Sequence, residues 1–412
     1  MITKFRIGHP IETEAVVKNL PVSAEGNEAV EAALRSAIPS VKLCGEEKSL
    51  SFLMEDEDIV FGLGESVRGM NKRGWLYESN NSDESFHMEE KHALYGTHSF
   101  LLVTSRKRSF ALFVDTPGHV IYDIGYTRPE ELKITADDWD LDLYLIEGDS
   151  AKEIVHEFRG LIGRSYIPPK WAFGFAQSRW GYRNEADIRK VVEDYRRAGI
   201  PLDMVNMDID YMERYKDFTV DEKAFPSFPS FVEEMKEQDV HLVPIIDAGV
   251  KIEDGYDVYE EGKKNGYFCT KEDGSDFVAA VWPGRVLFPD FLNEKAREWF
   301  GNQYQVLLDQ GIEGFWNDMN EPAIFYSEDH LNEVFEKLED YRGKNLDIRS
   351  FFAFKDLVGS IDNNPADYRS FYHNYHGKRI RHDKVRNLYG YNMTRAASEA
   401  FDRLRPGKRI LM

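Results

Sequence analysis

The chain has 412 residues, of which 42% are hydrophobic, 13% aromatic and 30% charged. That is enough apolar material for two or three packed domains and too much for a disordered chain. Lys and Arg number 52 against 73 Asp and Glu, a formal charge of −21, and so acidic a surface repels phosphate backbones and anionic headgroups. Nucleic-acid and membrane partners are therefore set aside.

The two cysteines, Cys44 and Cys269, are too few for a disulfide framework and too far apart for a CxxC metal pair. They point to a reduced, cytoplasmic setting. The first residues, MITKFRIGHPIETEAVV, contain no apolar core of signal-peptide length, and no run of about 18 apolar residues occurs in the chain.

Up to about residue 150 the hydrophobic pattern has period two. Phe100 to Thr104 and Phe110 to Asp115 flank the polar tip SRKRS, and Leu141, Leu143 and Leu145 alternate with Asp142 and Tyr144. This predicts an antiparallel β-sandwich over residues 1–165. From Ala151 the period becomes helical, with Ile154, Val155, Phe158, Leu161 and Ile162 on one stripe that stops at Gly163 and Pro168-Pro169.

Residues 166–412 alternate short apolar runs with helical stretches. Strands are predicted at Trp171 to Ala176, Met204 to Asp208, Val240 to Asp247 and Gly314 to Met319. Helices are predicted around Ile188 to Tyr195, capped by Asn184 and stopped at Gly199, and at Phe231 to Lys236, Ala296 to Leu308 and Met393 to Leu404. Four strand–helix alternations indicate a parallel α/β architecture, a (β/α)₈ barrel or an open sheet. Residues 249–290 and 322–385 read as inserted loops.

Carboxylates and aromatics gather at the C-terminal ends of the predicted strands, where parallel α/β folds bind ligands: Arg179 and Trp180, Asp208 and Asp210, Asp247, then Asp318 and Glu321. One strand-end Asp is usually a cap, but four strands in succession make a site the better reading. An acidic, Trp-bearing pocket suits a neutral polyol, since carboxylates accept hydrogen bonds from adjacent hydroxyls and indoles stack on pyranose faces.

Gly314-Phe-Trp-Asn-Asp-Met-Asn-Glu-Pro322 resembles the W-x-D-M-N-E-P nucleophile signature of glycoside hydrolase family 31, the α-glucosidase and α-xylosidase family. SRWGYR, DIDYMERYKDFT, PIIDAGVK and VWPGRVLFPDF follow the family's order within the second domain, and GLGE and LYGTHSF match its N-terminal sandwich. The resemblance implies a β-sandwich followed by a (β/α)₈ TIM-type barrel, and retaining hydrolysis of short α-glucosides by two carboxyl groups about 5–5.5 Å apart. No cofactor and no metal are implied.

By that resemblance Asp318 is the nucleophile and Glu321 an orienting residue. Asp208 accepts hydrogen bonds from the far hydroxyls of the non-reducing sugar, and Ile209 walls the subsite beyond. Ile245 or Ile246, Trp282, Trp316 and Met319 line the sugar pocket, while Trp180 borders the leaving-group side. Asp83 is either a carboxylate inserted from the sandwich or a plain turn residue. The family's acid/base Asp lies later than anything found here, so the chain reads as the N-terminal portion of a longer enzyme, cut in strand five with its acid/base beyond Met412 and inactive alone. The alternatives are an α-xylosidase, a non-catalytic sugar-binding fragment and a metal-dependent isomerase or lyase.

Two further features are weaker. Gly62-Leu-Gly-Glu65 lacks the GK[ST] of a phosphate loop and reads as a β-turn. His373, His376 and His382 have no metal ligand at a usual spacing and are expected at a surface or pocket rim.

Overall fold

The computed structural model describes residues 1–412. It divides into one unit of residues 1–166 with 383–388, and a second of 167–382 with 389–412. The division falls where the helical stripe meets the prolines. Residues 383–388, at and just beyond the end of the second predicted insertion, nevertheless join the first unit, where the Asn387 side chain donates to the Ser79 and Gly118 carbonyls at 3.1 and 2.9 Å and accepts from Asn81 N–H at 3.0 Å.

The first unit packs a six-stranded sheet on a five-stranded one. Alternation places Leu141, Leu143 and Leu145 in the inter-sheet core with Phe52, Leu101, Leu112 and Ile134. Fully burying each such side chain is worth about 1.5–3 kcal/mol. The opposite face of the strand Leu141–Glu147 is covered too. Tyr144 and Ile146 pack with Ile154, Leu161 and Phe158 of the helix Ala151–Ile162, whose N-cap Ser150 accepts from Glu153 N–H. Asp142 on that face is tolerated because Lys4 and Arg6 pair with it, each at 2.8 Å. Gly62 ends the strand Ile59–Gly62, paired with Leu101, and the chain bends after it through Leu63 and Gly64, both at positive φ; a Cβ at Gly62 would stand 2.2 Å from the Phe100 carbonyl oxygen.

In the second unit the strands Ala176–Ser178, Met204–Asn206 and His241–Val243 pair in parallel in that order. The strand Ile245–Asp247 pairs in parallel with Trp316–Asp318. Gly314 bridges in parallel to Leu411, and Phe315 N–H donates to the Leu411 carbonyl at 2.9 Å, an isolated bridge where strand five was expected. The helix Glu185–Ala198 carries the caps expected of it: Asn184 accepts from Asp187 N–H, and Gly199 takes the left-handed conformation. A later helix, Glu294–Gln303, meets Tyr389–Leu404 so closely that a Cβ at Gly301 would lie 2.1 Å from the Ala396 carbonyl oxygen.

Three expectations are corrected. Trp171 to Ala176 is not a strand: behind Pro169, Lys170–Phe173 forms a 3₁₀ turn, Trp171 stacks on His241 at 4.1 Å, and the strand starts at Ala176. The strand predicted over Val240 to Asp247 breaks at Pro244, which has no N–H to donate; its carbonyl accepts Trp316 N–H, and the strand's halves pair with different neighbours. The two insertions are not structureless. They hold the helices Asp257–Asn265, Glu328–Glu339 and Ile348–Gly359, a four-stranded sheet completed by Tyr326–Ser327 and a three-stranded one containing Phe371–Tyr375 and Lys378–Arg381. The strands are only two to five residues long, too short to leave a periodic signal in the surrounding polar composition. His373 and His382 correspondingly lie in the interior, at 1% and 0% exposure, and only His376 is at the surface.

Candidate active site

Asp318 ends the strand Trp316–Asp318 half-buried. Strand alternation sends Trp316 and Asp318 to one face and Asn317 to the other, where the Asn317 carbonyl accepts the buried Tyr304 hydroxyl at 2.6 Å. Asp318 Oδ1 accepts the N–H of Met319 at 2.8 Å, and Met319 adopts φ +57° to present it. Asp208 repeats the device at the second strand's exit: its φ is +60° and its Oδ1 accepts Ile209 N–H at 2.8 Å. Positive φ at a non-glycine residue is costly and clusters at functional sites. Two strand ends thus bend sharply to hold a carboxylate by the next amide. Burial, and then Asp210, raise the Asp208 carboxyl above its ordinary range.

Asp247 stands in register with Asp318 on the neighbouring strand. It is 2% exposed, and its N–H donates to Oδ1 of Asp217, 1% exposed, at 2.8 Å. Asp217 Oδ2 and Asp247 Oδ1 have no hydrogen-bond partner. Burial pushes both carboxyls well above the carboxylate range, and for Asp247 the charges of Asp217, Asp318, Asp208 and Glu321 push the same way. Burial thus favours the protonated form of each, while Asp318 is half-buried at its strand end. Tyr256 and Tyr211 brace the pair by donating to the Asp217 and Ile245 carbonyls at 2.8 and 2.7 Å.

The aromatic wall is more open. Trp180 is 61% and Trp282 42% exposed, with ring centroids 6.0 Å apart, and Trp282 stands edge-on to Phe325 at 5.0 Å. Beside Trp282 runs a groove of about 560 Å³ lined by Asp210, Met212, Arg214, Tyr215 and Lys251, in the range of small-ligand sites. Trp316 is half-buried and Met319 8% exposed. Ile209, Ile245 and Ile246 are enclosed, at 2% exposure or less, and Glu321 is 5% exposed. Asp83 lies half-buried in the sandwich unit, after the strand Trp75–Ser79.

These strand-end carboxylates can be set beside known proteins. The description "Glycosyl hydrolases family 31 TIM-barrel domain" matches residues 165–412, and "Glycosyl hydrolase 31 N-terminal galactose mutarotase-like domain" matches residues 19–123. The chain belongs to glycoside hydrolase family 31. Among family 31 relatives it is 32% identical over 358 residues to Alpha-glucosidase 2 of Bacillus thermoamyloliquefaciens, covering 87% of this chain. It is 29% identical to human intestinal sucrase-isomaltase, covering 85%. It spans 41% and 19% of those two proteins' lengths. Among solved structures, the family 31 dextranase of Flavobacterium johnsoniae complexed with glucose superposes with a TM-score of 0.71 at 22% identity, over 88% of this chain and 40% of that one. An α-xylosidase of the family from a soil metagenome, complexed with xylose, gives 0.66 at 18% identity, over 90% and 47%.

Within this family 31 chain, sequence reasoning missed Asp217, Tyr256, Tyr211 and Tyr304. Asp217 sits in DIDYMERYKDFT, the segment that follows the family's order, of which sequence reasoning singles out only Asp208, Ile209 and Asp210. The positive φ values of Arg214, Tyr215 and Phe218, which fold that stretch so that Asp217 turns inward, leave no mark on hydrophobic periodicity.

Proposed function

We propose that the protein is a retaining, exo-acting α-glycoside hydrolase that releases α-glucose from the non-reducing end of short α-1,4- or α-1,6-linked glucosides. The observation that supports it is the half-exposed Asp318, aimed by Met319 N–H and in register with the buried Asp247. The Asp318 carboxylate attacks C1 as the glycosidic C1–O bond breaks, and a second carboxyl protonates the departing oxygen; water, giving its proton to that second carboxylate, then attacks C1 as the C1–Asp318 bond breaks, which restores the α-configuration and frees Asp318. This reading assigns the proton donor to no residue named above, and the chain spans 41% of the length of Alpha-glucosidase 2. Asp208 takes the hydroxyls of the bound glucose, Trp282 and Trp316 contact its ring, and the enzyme works without cofactor in the cytoplasm.

The full-length enzyme given 4-nitrophenyl α-glucoside is expected to yield α-glucose as the first anomer seen by ¹H NMR, and to prefer the glucoside to the α-xyloside in kcat/KM. A first-formed β-anomer overturns the retaining mechanism. A xyloside preference would make the enzyme an α-xylosidase, and no turnover of either sugar would leave a binding protein.

Trp180, exposed and tilted toward Trp282, borders the leaving group in this reading, and a 1→6 linkage presents its second sugar differently from a 1→4 linkage. Trp180→Ala is expected to change the maltose-to-isomaltose ratio of kcat/KM by roughly 3- to 10-fold, the worth of about 1 kcal/mol of stacking. An unchanged ratio refutes that role.

A further inference from the structure

Far apart in sequence, Cys269, Asp290 and His373 converge inside the inserted segments. Cys269 immediately precedes the strand Thr270–Lys271, Asp290 follows Gly284–Leu287, and His373 lies within Phe371–Tyr375. Their exposures are 1%, 4% and 1%, and one potential ligand atom from each lies within 4.8 Å of the others. His373 Nδ1 faces two partners at once, Asp290 Oδ1 at 2.8 Å and Cys269 Sγ at 3.5 Å. A ring nitrogen carries one proton or one lone pair, so it serves two such neighbours well only when something between them is shared.

The surroundings are organised for that role. Asp290 Oδ2 accepts Asn374 N–H at 2.7 Å, which turns Oδ1 toward the cluster. His373 Nε2 meets His382 Nδ1 at 2.9 Å, with His382 0% exposed, the outer hydrogen bond that fixes the tautomer and ring plane of a metal-binding histidine. No lysine or arginine pairs with Asp290; its ion-pair partner is His373. A buried carboxylate without a full countercharge is costly.

We propose that Cys269 Sγ, Asp290 Oδ1 and His373 Nδ1 bind a structural Zn²⁺ ion that ties the two inserted segments together. Mixed sulfur, nitrogen and oxygen donors suit zinc and exclude the oxygen-preferring Mg²⁺ and Ca²⁺. The Cys269 thiol releases its proton to solvent as the metal–sulfur bond forms, and the Pro289 carbonyl, 3.7 Å from Sγ, is the nearest further oxygen. Because the site is closed to solvent, the ion enters during folding and takes no part in the hydrolysis proposed above.

The test is to produce the protein in minimal medium containing Zn²⁺ or Co²⁺, dialyse it against EDTA, and measure metal content by mass spectrometry and near-ultraviolet absorption. The expected result is about one ion per chain and, for the cobalt form, a thiolate-to-metal charge-transfer band. With two cysteines in the chain, a band that survives Cys44→Ser assigns the thiolate to Cys269 even where Cys269→Ser fails to fold. A folded Cys269→Ser or His373→Ala variant is expected to lose the ion. Folded wild-type protein without metal, or with metal and no cobalt–thiolate band, overturns the proposal and leaves the cluster a hydrogen-bonded Cys–His–Asp group.

Discussion

Replacing Asp318 by alanine is expected to lower kcat on 4-nitrophenyl α-glucoside by on the order of 10⁴-fold or more, because a nucleophile that forms the covalent intermediate has no substitute within bonding distance of C1. The measurement belongs in the full-length enzyme, with thermal unfolding beside it. The fold should survive: Asp318 sits at a strand end, half-exposed, and the carboxylate it removes is one of the charges that burden the buried Asp247. Stability is therefore expected to hold or rise slightly. A second readout separates loss of the nucleophile from mere loss of shape. Alanine leaves room on the face of the sugar that the carboxylate attacks, so added azide should restore part of the turnover and give the β-glycosyl azide. Retained kcat removes Asp318 from the nucleophile's role; lost kcat with a collapsed unfolding transition shows a structural one instead.

Asp318 and Asp208 were legible in the sequence because both lie at the C-terminal ends of short apolar runs, where a parallel architecture puts ligands. The sandwich was legible for a related reason: Leu141, Leu143 and Leu145 alternate over a buried face, and period two survives any tertiary detail. What failed was whatever depended on a single backbone event. Pro244 splits one apolar run into two strands with different partners, and the 3₁₀ turn behind Pro169 consumes the first residues of what reads as a strand. The interior of the insertions was hidden more deeply. His373 shows no periodic signal of burial, and its neighbour Asp290 is 83 residues away, so only the folded chain reveals that a histidine-rich loop is part of a core. The carboxyl pair Asp217 and Asp247 was half visible: Asp247 ends a strand, whereas Asp217 lies in a polar stretch that folds inward.

That pair carries the second large effect. Asp217→Ala removes the acceptor of the Asp247 N–H, leaving a buried donor orphaned beside a small cavity, for a combined cost of about 2–4 kcal/mol. The expected fall in Tm is on the order of 5–15 °C, with kcat falling too as the end of the strand Ile245–Asp247, in register with Asp318, loses its tether. Asp217→Asn behaves oppositely, since its amide oxygen accepts the same N–H and its amide nitrogen replaces a carboxyl oxygen that has no partner. The pH dependence tests the direction of these shifts. Burial raises the folded pKa of both carboxyls, so the folded chain holds protons that the unfolded chain releases above about pH 3.9. Stability is then fully present below that value, declines as pH rises toward the folded pKa values, and is flat above them. Asn at 217 loses its share of that decline. Tm of Asp217→Asn should therefore exceed wild type at pH 8 and converge on it toward pH 4, and a constant difference across that range would show that Asp217 is ionised in the folded protein after all.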